Sequence, residues 1–388
     1  MKKTFNREIN FILLCACVEP DGERRKCIEN AANPTLNWDL VYEISLRQRV
    51  LPLLYENIKS LLPDKVPARI IEKLKSVYFD NVTRNISLSL FLLKILSLLK
   101  ENNISAVPFK GPLLAQDVYG DIGLRPFSDL DILVSKNDAC VAWQILLEDG
   151  FQAELVLDEG QKHKYIRSED HMAFSKGNMC VELHWDMFGD YLCTPMKFED
   201  VEERLKKSVI NNREVPDLSS EDLLLYLCIH GAKHRWGYLE MVCCVAEVIK
   251  RKEINWEVVE RVARELRCQR VFAVGIYLSW KLLEAPIPGY ILEKIKHDNI
   301  ILELADVLIE EMFEEVASLE LKNITDRFSF FHIKVRDSFS DKFRYVLKIL
   351  FCPSIKEWQY FPVPASLSFV HYLLRPYRLI YTVLMGDR

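Results

Sequence analysis

The sequence predicts an α+β fold in which a small mixed-sheet core lies between two helical regions. The 388 residues include 49% hydrophobic and 28% charged residues, which is the composition of a globular protein that buries a large core. Apolar residues recur at helical spacing over residues 1–100 and 201–388, whereas residues 101–200 hold short apolar runs separated by glycine-containing turns. We therefore expect three regions, with boundaries near residues 100 and 200.

The N-terminal region is expected to be mainly helical. Apolar residues follow a helical period from Leu51 and again over residues 66–78, and residues 86–99 are apolar almost all round, which indicates a buried helix. Two lysines precede the apolar run 11–18, as in a signal peptide, but Glu8 interrupts the approach and the run barely reaches the minimum length. We favour a first helix over a signal peptide.

The central region is expected to form the sheet. Pro112 suits the first turn of a helix, which is predicted over residues 113–119. Another helix over residues 138–149 ends at Gly150. Short apolar runs bounded by turn residues predict four strands, the last two of them joined as a hairpin: 105–109, 130–134, 171–175 and 179–185.

The C-terminal region is expected to be helical. Ser219 is a predicted N-cap, because Asp222 follows three residues later and precedes an apolar run. The last apolar segment, 367–384, interleaves aromatic residues with arginines, and we expect a buried helix there, with an interfacial membrane helix as the alternative. No segment reaches the ~18 uncharged apolar residues of a membrane span. Further helices are expected over 256–266, 271–283 and 300–316.

Net charge and cysteine content restrict the partners and the compartment. The chain carries 51 basic and 56 acidic residues, a net charge of −5, so no long nucleic-acid footprint is expected, although a short RNA contact needs only a local basic patch. The 11 cysteines form no C-x-x-C pair, which argues against paired zinc knuckles. Reduced thiols used as small hydrophobic residues in the cytoplasm are the favoured interpretation.

The strongest chemical signal is an acidic pair at the start of a predicted strand. Asp129 and Asp131 are two residues apart, so they project from one face of a strand whose other residues are apolar. Two neighbouring carboxylates repel each other and resist desolvation, and a divalent cation offsets both costs. Mg²⁺ prefers such oxygen ligands together with substrate phosphates. The alternative is a strand that begins in solvent with both aspartates hydrated.

Three further features strengthen the metal interpretation. Glu182 lies on another predicted strand and shares a face with His184, so pairing of the two strands would supply a third carboxylate. Three carboxylates can hold two metal ions about 3.5–4 Å apart for in-line phosphoryl displacement. Lys110 stands at a strand-to-helix turn, where backbone N–H groups and a lysine can bind phosphate. Arg125, in the loop before the acidic pair, can bind phosphate through two N–H groups.

Together these residues form a string that resembles a known family. The elements are K-G at residues 110–111, R-P-x-S-D-x-D over residues 125–131 and E-L-H-W over residues 182–185. This string is similar to that of a family of largely uncharacterised bacterial nucleotidyltransferases, in the superfamily of DNA polymerase beta and kanamycin nucleotidyltransferase. The resemblance is close over residues 105–190 and looser over residues 227–236. It implies a polymerase-beta-like nucleotidyltransferase core.

The resemblance also implies an activity and its residues. The activity is transfer of a nucleoside monophosphate from a nucleoside triphosphate, such as ATP, to an acceptor, with release of pyrophosphate. The acceptor is left open among a small molecule, a peptide, a protein and an RNA end. The expected catalytic residues, which would also hold two Mg²⁺ ions or Mn²⁺ in their place, are Asp129, Asp131 and Glu182. The residues expected to bind the nucleotide and its phosphates are Lys110, Gly111, Arg125, Ser128 and His184.

Two residues depart from the family pattern. Pro112 stands where serine or glycine usually follows the turn glycine, and it removes an N–H donor that would otherwise meet a phosphate. Cys244 stands where family members often have an aspartate. These departures motivate an alternative function, a nucleotide-binding or partner-binding protein that retains the fold with weak or no activity. A kinase is a weaker alternative, since the chain has neither a GxxxxGK[ST] loop nor the kinase motifs.

The histidines outside the string have open roles. His163 and His171 are either substrate contacts or surface histidines. His230 and His234 lie four residues apart on one helical face, and without an H-E-x-x-H motif we expect them to line the cleft rather than bind zinc. The aromatic residues nearby are expected to pack rather than to stack on a base: Tyr226, Trp236 and Tyr238.

Overall fold

The computed structural model describes residues 5–33, 35–188, 192–313, 330–361 and 363–385, and it has the α+β fold that the sequence predicts. Asparagine and aspartate side chains cap the first three helices, because each accepts a hydrogen bond from a backbone N–H of the first turn. The helices of the N-terminal region are α1 (Arg7–Cys15), α2 (Gly22–Ala31), α3 (Trp38–Arg47), α4 (Leu51–Leu61) and α5 (Ala68–Glu101).

Helix α5 is a single helix of 34 residues, so the two segments predicted over residues 66–78 and 86–99 are joined. By length and composition it could cross a membrane, which is weak evidence for a span, and 39% of its most apolar window is buried inside the protein. Its buried residues enter both hydrophobic cores. This is the packing of a core helix in a globular fold.

The middle of α5 holds the loop that leads into the acidic strand. The Nδ2 atom of Asn81 donates to the carbonyl oxygen of Gly123 at 2.7 Å, and Nδ2 of Asn85 donates to the carbonyl oxygen of Arg125 at 2.9 Å. Both asparagines are buried. Helix α5 therefore fixes the backbone path just ahead of Asp129.

The five-stranded sheet lies between these helices and the rest of the chain. Its strands are β1 (Ala106–Pro108), β2 (Asp129–Val134), β3 (Gln152–Ala153), β4 (His171–Lys176) and β5 (Met179–His184), in spatial order β1-β2-β5-β4-β3. Strands β2 and β5 run parallel, whereas the other neighbouring pairs are antiparallel. The four predicted strands are present, and β3 is an addition at one edge.

The connections between the strands follow the predicted turn chemistry. Helices α6 (Ala139–Glu148) and α7 (Glu159–Ser168) lie between β2 and β4 in the chain, and residues 114–118 form a π-helical turn within the helix predicted over 113–119. Gly150, with φ +87°, follows α6, and Gly177, with φ +59°, lies in the β4–β5 hairpin.

Strand β2 separates two hydrophobic cores. Leu130, Ile132 and Val134 enter the core that contains α6 and the C-terminal half of α5. On the other face, Leu133 joins the core shared by the N-terminal and C-terminal helices. Asp129 and Asp131 share the face of Leu133, because side chains alternate along a strand.

The prediction that the chain is simply helical after residue 200 is wrong. Helix α8 (Phe198–Glu202) leads into a hairpin of β6 (Lys206–Ile210) and β7 (Arg213–Asp217). The two-residue turn consists of Asn211 and Asn212, whose φ angles are +47° and +61°. Asparagine tolerates this left-handed backbone, and the turn type matches the twist of a hairpin. The two consecutive asparagines are the sequence signal for this hairpin, and the helical prediction did not take them into account.

The C-terminal helices that follow include α9, α10 and α12, which pack with the N-terminal helices into one core. Ser219 caps α9 as predicted, since its side chain accepts a hydrogen bond from the N–H of Asp222. Residues 314–316 of the helix predicted over 300–316 lie outside the described residues. The helices are α9 (Ser220–Lys233), α10 (Leu239–Arg251), α11 (Trp256–Glu265), α12 (Gln269–Leu283), α13 (Gly289–Lys296) and α14 (Asn299–Phe313).

The last helices are α15 (Phe330–Lys334), α16 (Phe339–Phe351), α17 (Ile355–Tyr360) and α18 (Val370–Met385). The prediction of a buried C-terminal helix is wrong. In α18 only His371 and Arg375 are buried among the side chains that the structure describes, while Leu373 and Tyr377 are 69% and 68% exposed. The helix packs along one narrow side because polar residues, not its apolar row, face its neighbours.

The tether between α5 and the loop before β2 gives a stability prediction. In Asn81→Leu the carbonyl oxygen of Gly123 loses its donor and remains buried, so we expect the free energy of unfolding to fall by about 2 kcal/mol. Urea unfolding followed by circular dichroism measures this change. The control is Asn10→Leu, which removes an exposed hydrogen bond to the carbonyl oxygen of Phe5 and should cost no more than about 0.5 kcal/mol. Equal losses in the two variants would contradict the proposed tether.

Candidate active site

The register of the sheet brings the acidic residues together. In the parallel pair β2–β5, Asp131 lies opposite Glu182. His184 shares the face of Glu182, and the antiparallel strand β4 places His171 opposite His184. The strand pairing on which the third carboxylate depended is therefore direct, and three strands contribute side chains to one cleft.

Asp131 lies at the centre of the cleft. Its side chain is 1% exposed, with Nζ of Lys110 at 3.0 Å from Oδ2 and Nε2 of His184 at 3.3 Å from Oδ1. The same Nε2 forms a hydrogen bond of 3.2 Å with Oε2 of Glu182. Neither contact to Asp131 has hydrogen-bond geometry, so within the described residues both of its buried oxygens lack an aligned donor.

Asp131, Lys110 and His184 stabilise one another in their charged forms. Burial opposes ionisation of Asp131, but the Lys110 ammonium and the His184 ring outweigh it and hold the pKa of Asp131 far below its usual value. Burial also opposes the charge of Lys110, yet the Asp131 carboxylate keeps the pKa of Lys110 above its usual value. Burial lowers the pKa of His184, and its contacts with Asp131 and Glu182 outweigh this and raise it to about 9.

The surroundings shift the pKa values of the two outer carboxylates in opposite directions. Burial and repulsion from Asp131 raise the pKa of Asp129. Burial acts in the same direction on Glu182, but its hydrogen bond with His184 outweighs that effect and lowers the pKa of Glu182.

Helix α9 forms the opposite wall of this cleft, which has a volume of about 180 Å³. Tyr226, His230 and Lys233 recur at helical spacing on one face of α9, and His234 follows its last residue. The rings of Tyr226 and His230 stack with centroids 5.7 Å apart, and Nζ of Lys110 lies 5.7 Å from the centroid of the Tyr226 ring. The expectation that Tyr226 only packs is therefore incomplete.

The histidines of this wall are neutral. Burial and the nearby Lys110 charge lower the pKa of His230, and burial with the Lys233 charge lowers that of His234 to about 4. Lys233 is exposed at the rim. The wall thus offers one exposed positive charge and two neutral imidazoles to a ligand.

The cleft-lining Asp170 was missed by sequence reasoning, since it belongs to no spaced motif. His171, which stacks on His184 at a centroid distance of 4.9 Å, has its Nδ1 3.0 Å from Oδ1 of Asp170. His163 instead contacts the sulfur of Cys140 at 3.5 Å in an exposed position. Of the two histidines left open by the sequence, only His171 lines the cleft.

Arg125 does not line the cleft, contrary to the expectation that it binds phosphate there. Its Nε lies 2.8 Å from Oε1 of Glu240 and 3.2 Å from the sulfur of Cys244, both on α10, and the side chain is buried. Its Nη1 is buried without a partner among the described residues. A buried guanidinium that is already paired with a carboxylate is a poor phosphate receptor.

Gly111 and Ser128 flank the cleft and do not line it. Gly111 has φ +54°, the left-handed conformation that favours glycine, and a Cβ there would lie 3.5 Å from the carbonyl oxygen of Asp129. Ser128 is exposed in the loop before β2. The structure therefore places these two residues at the turn and in the loop that shape the site.

Helix α10 places a carboxylate, that of Glu240, beside Cys244. The two residues are one helical turn apart on α10, and the Cys244 thiol donates to Oε1 of Glu240 at 3.1 Å. The Tyr119 hydroxyl lies 3.4 Å from the Cys244 sulfur. Helix α10 thus presents a carboxylate to Arg125.

The donor atoms of the cleft fit a divalent cation. A carboxylate oxygen of Asp131, one of Glu182 and a ring nitrogen of His184 lie within 4.8 Å of one another, and the carboxylate oxygens would be the cation ligands, because the raised pKa of His184 keeps its ring protonated. Asp129 lines the same cleft, and the Asp131 oxygens have no aligned hydrogen-bond donor in the described part of the chain. Oxygen donors suit Mg²⁺ and Mn²⁺.

The Arg125–Glu240 pair gives a second stability prediction. Arg125→Met leaves the buried Glu240 carboxylate unpaired, so we expect the free energy of unfolding to fall by about 3 kcal/mol, with most of it recovered in Arg125→Met/Glu240→Leu. Arg69→Met is the control, because it breaks an exposed pair with Asp39 and should change the free energy of unfolding far less than Arg125→Met. Urea unfolding of the four proteins measures these differences. If Arg125→Met/Glu240→Leu has a lower free energy of unfolding than Arg125→Met, the proposed pairing is contradicted.

Comparisons with known proteins place the chain in a family. The model of a family described as an uncharacterised nucleotidyltransferase matches residues 34–284, well over half of the chain. No curated protein matches the sequence. The solution structure of the antibiotic-resistance factor ANT(2'')-Ia is similar at a TM-score of 0.34 and 16% identity, over 47% of this chain and 93% of that chain. On the family match, the chain belongs to this uncharacterised family of nucleotidyltransferases.

Proposed function

We propose that the protein is a metal-dependent enzyme that transfers a nucleoside monophosphate from a nucleoside triphosphate to an acceptor and releases pyrophosphate. Membership of a nucleotidyltransferase family supports nucleotidyl transfer in general. The acceptor is a small molecule, a peptide, a protein or an RNA end. A cytoplasmic location fits the eleven free cysteines, seven of which are buried.

The observation that carries this proposal is the pairing of Asp131 with Glu182 across two parallel strands. It converts an acidic pair on one strand into a cluster of three carboxylates, with the central one buried and lacking aligned donors in the described residues. Such a cluster is costly without cations. The residues that would hold Mg²⁺ or Mn²⁺ are Asp129, Asp131 and Glu182, and the metal would neutralise the triphosphate and the charge that develops during transfer.

Residues other than the three carboxylates position the cluster or contact the nucleotide. Lys110 and His184 hold the Asp131 carboxylate in place, at 3.0 and 3.3 Å. Lys233, at the rim of the opposite wall, attracts the triphosphate, and the neutral His230 offers a hydrogen bond. Because Arg125 is paired with α10, it supports the loop before Asp129 instead of binding phosphate.

The proposed reaction exchanges one bond to phosphorus for another. An acceptor oxygen bonds to the α-phosphorus, and the bond from that phosphorus to the oxygen bridging to the β-phosphate breaks, so pyrophosphate leaves with the electron pair. The acceptor proton passes to a carboxylate of the cluster, Asp129 or Glu182.

One observation favours the alternative of a non-catalytic nucleotide-binding protein. Lys110 and His184 together neutralise much of the acidic cluster within the protein, so the cluster is partly stabilised without a metal ion. Pro112 also removes a backbone donor at the turn. Turnover separates the two functions.

A transfer assay tests the proposed function. The chain is incubated with Mg²⁺, each of the four nucleoside triphosphates and a panel of acceptors, and pyrophosphate and mass-shifted acceptor are quantified. We expect Asp131→Asn to reduce transfer at least about a hundredfold, because a metal ligand supplies several kcal/mol of transition-state stabilisation. Asp149→Asn is the matched control, since Asp149 pairs with Lys94 and Lys176 outside the cleft.

The outcomes of this assay separate the two functions. Pyrophosphate release that Asp131→Asn abolishes and Asp149→Asn retains supports the transferase. Tight Mg²⁺-dependent nucleotide binding without turnover, measured by calorimetry, favours the binding protein. Undiminished transfer by Asp131→Asn would overturn the assigned site.

A further inference from the structure

Two of the last four helices, α16 and α18, each carry an exposed apolar row. In α16 the row includes Phe339, Phe343 and Leu347, of which Phe339 is 84% exposed. These residues lie four apart, so they share one side of the helix. Buried Tyr345 and Ile349 occupy the other side. The row is therefore an outward face and not the packing face of the helix.

Helix α18 repeats this arrangement with aromatic residues. Leu373, Tyr377 and Tyr381 are exposed at four-residue spacing, and Phe369 precedes the helix in the same series. Exposed apolar rows of this length on two neighbouring helices exceed the scattered hydrophobic residues of an ordinary surface. They mark an interaction surface.

A buried ionic cluster holds the two helices together beneath these rows. Arg375 of α18 donates through Nε to the carbonyl oxygen of Ile349 at 3.2 Å and pairs through Nη1 with Glu357 at 3.2 Å. Arg378 pairs with the same carboxylate, whose side chain is fully buried. These contacts fix the two helices relative to each other, so the exposed rows are in place without a bound partner.

The net charge of residues 330–385 indicates the class of partner that binds the exposed rows. The described residues from 330 to 385 carry eight lysines and arginines but three acidic residues, the reverse of the balance in the whole chain. The three acids are engaged within the protein, as are Arg375 and Arg378, which pair with Glu357, and Lys334, which pairs with Glu303. The positive charge offered to a partner is therefore that of Lys342 and Arg344.

Basic residues flank the apolar row of α16. Lys342 and Arg344 are the immediate neighbours of Phe343, so they lie on either side of the row. An amphipathic helix with aromatic residues on one face and flanking lysine and arginine is suited to an anionic membrane surface, where rings enter the headgroup region and cations meet lipid phosphates. A second copy of this chain would instead bring two positive faces together.

We propose that the exposed rows of α16 and α18 form a docking surface for an anionic phospholipid bilayer. The site lies outside the carboxylate cleft and does not depend on the proposed transferase activity. The helices lie in the plane of the interface and do not span it, since α18 has only 16 residues and carries Arg375 and Arg378 on its inner side.

Sedimentation of the full chain with vesicles tests this inference. Vesicles of phosphatidylcholine alone are compared with vesicles that also contain phosphatidylglycerol, at low and high salt. We expect binding only to the anionic vesicles and weakening by salt, with about tenfold weaker partition in Phe343→Ser/Tyr377→Ser and in Lys342→Glu/Arg344→Glu. All substituted positions are outside the buried cluster, and circular dichroism verifies that each variant is folded.

Matched controls make the test specific. Leu90→Ser/Val156→Ser removes two exposed apolar side chains elsewhere, and Lys26→Glu/Lys75→Glu makes the same change in net charge elsewhere. Both should bind like the unmodified chain. Absence of binding to anionic vesicles, or equal losses in the controls, would overturn the proposal. Light scattering that shows a dimer dissociated by Phe343→Ser/Tyr377→Ser without lipid would also overturn it, in favour of a second copy.

Discussion

The interaction on which the candidate site depends is the pairing of a fully buried carboxylate, Asp131, with two cations. A carboxylate that is removed from water loses its hydration, and only nearby opposite charge keeps it ionised. Lys110 comes from the turn after β1 and His184 from the end of β5, so three neighbouring strands must be in register for this arrangement to form. The charged groups of the site therefore meet only when the strands of the sheet are in this register.

Because of this constraint, helices from both the N-terminal and the C-terminal region hold the strands and loops of a small sheet in position. The loop before β2 is fixed from one side by asparagines of α5 and from the other by Glu240 of α10. Helix α9 covers the carboxylates with rings and a lysine. N-terminal and C-terminal helices thus meet around the acidic strand, and they share a single core on that side of the sheet.

Charged groups buried in this fold find their partners within the chain. The buried guanidinium of Arg125 is paired with Glu240 of α10. Neutralisation of Asp131 by Lys110 and His184 likewise comes from within the protein. In both places the fold stabilises buried charge through its own side chains. The ionic cluster around Glu357, under the exposed rows of α16 and α18, follows the same pattern.

Local rules determined what the sequence revealed by itself. Alternation along a strand places Asp129 and Asp131 on one face wherever that strand lies, and the Ser219 cap and the left-handed Gly150 depend only on a few adjacent residues. Tertiary structure alone decided which groups meet across the chain. Arg125 pairs with an acid more than a hundred positions away, and α18 faces solvent because its arginines, not its aromatic row, find partners inside the fold. Such choices compare the free energies of alternative partners, and those partners are brought together only when the whole chain has folded.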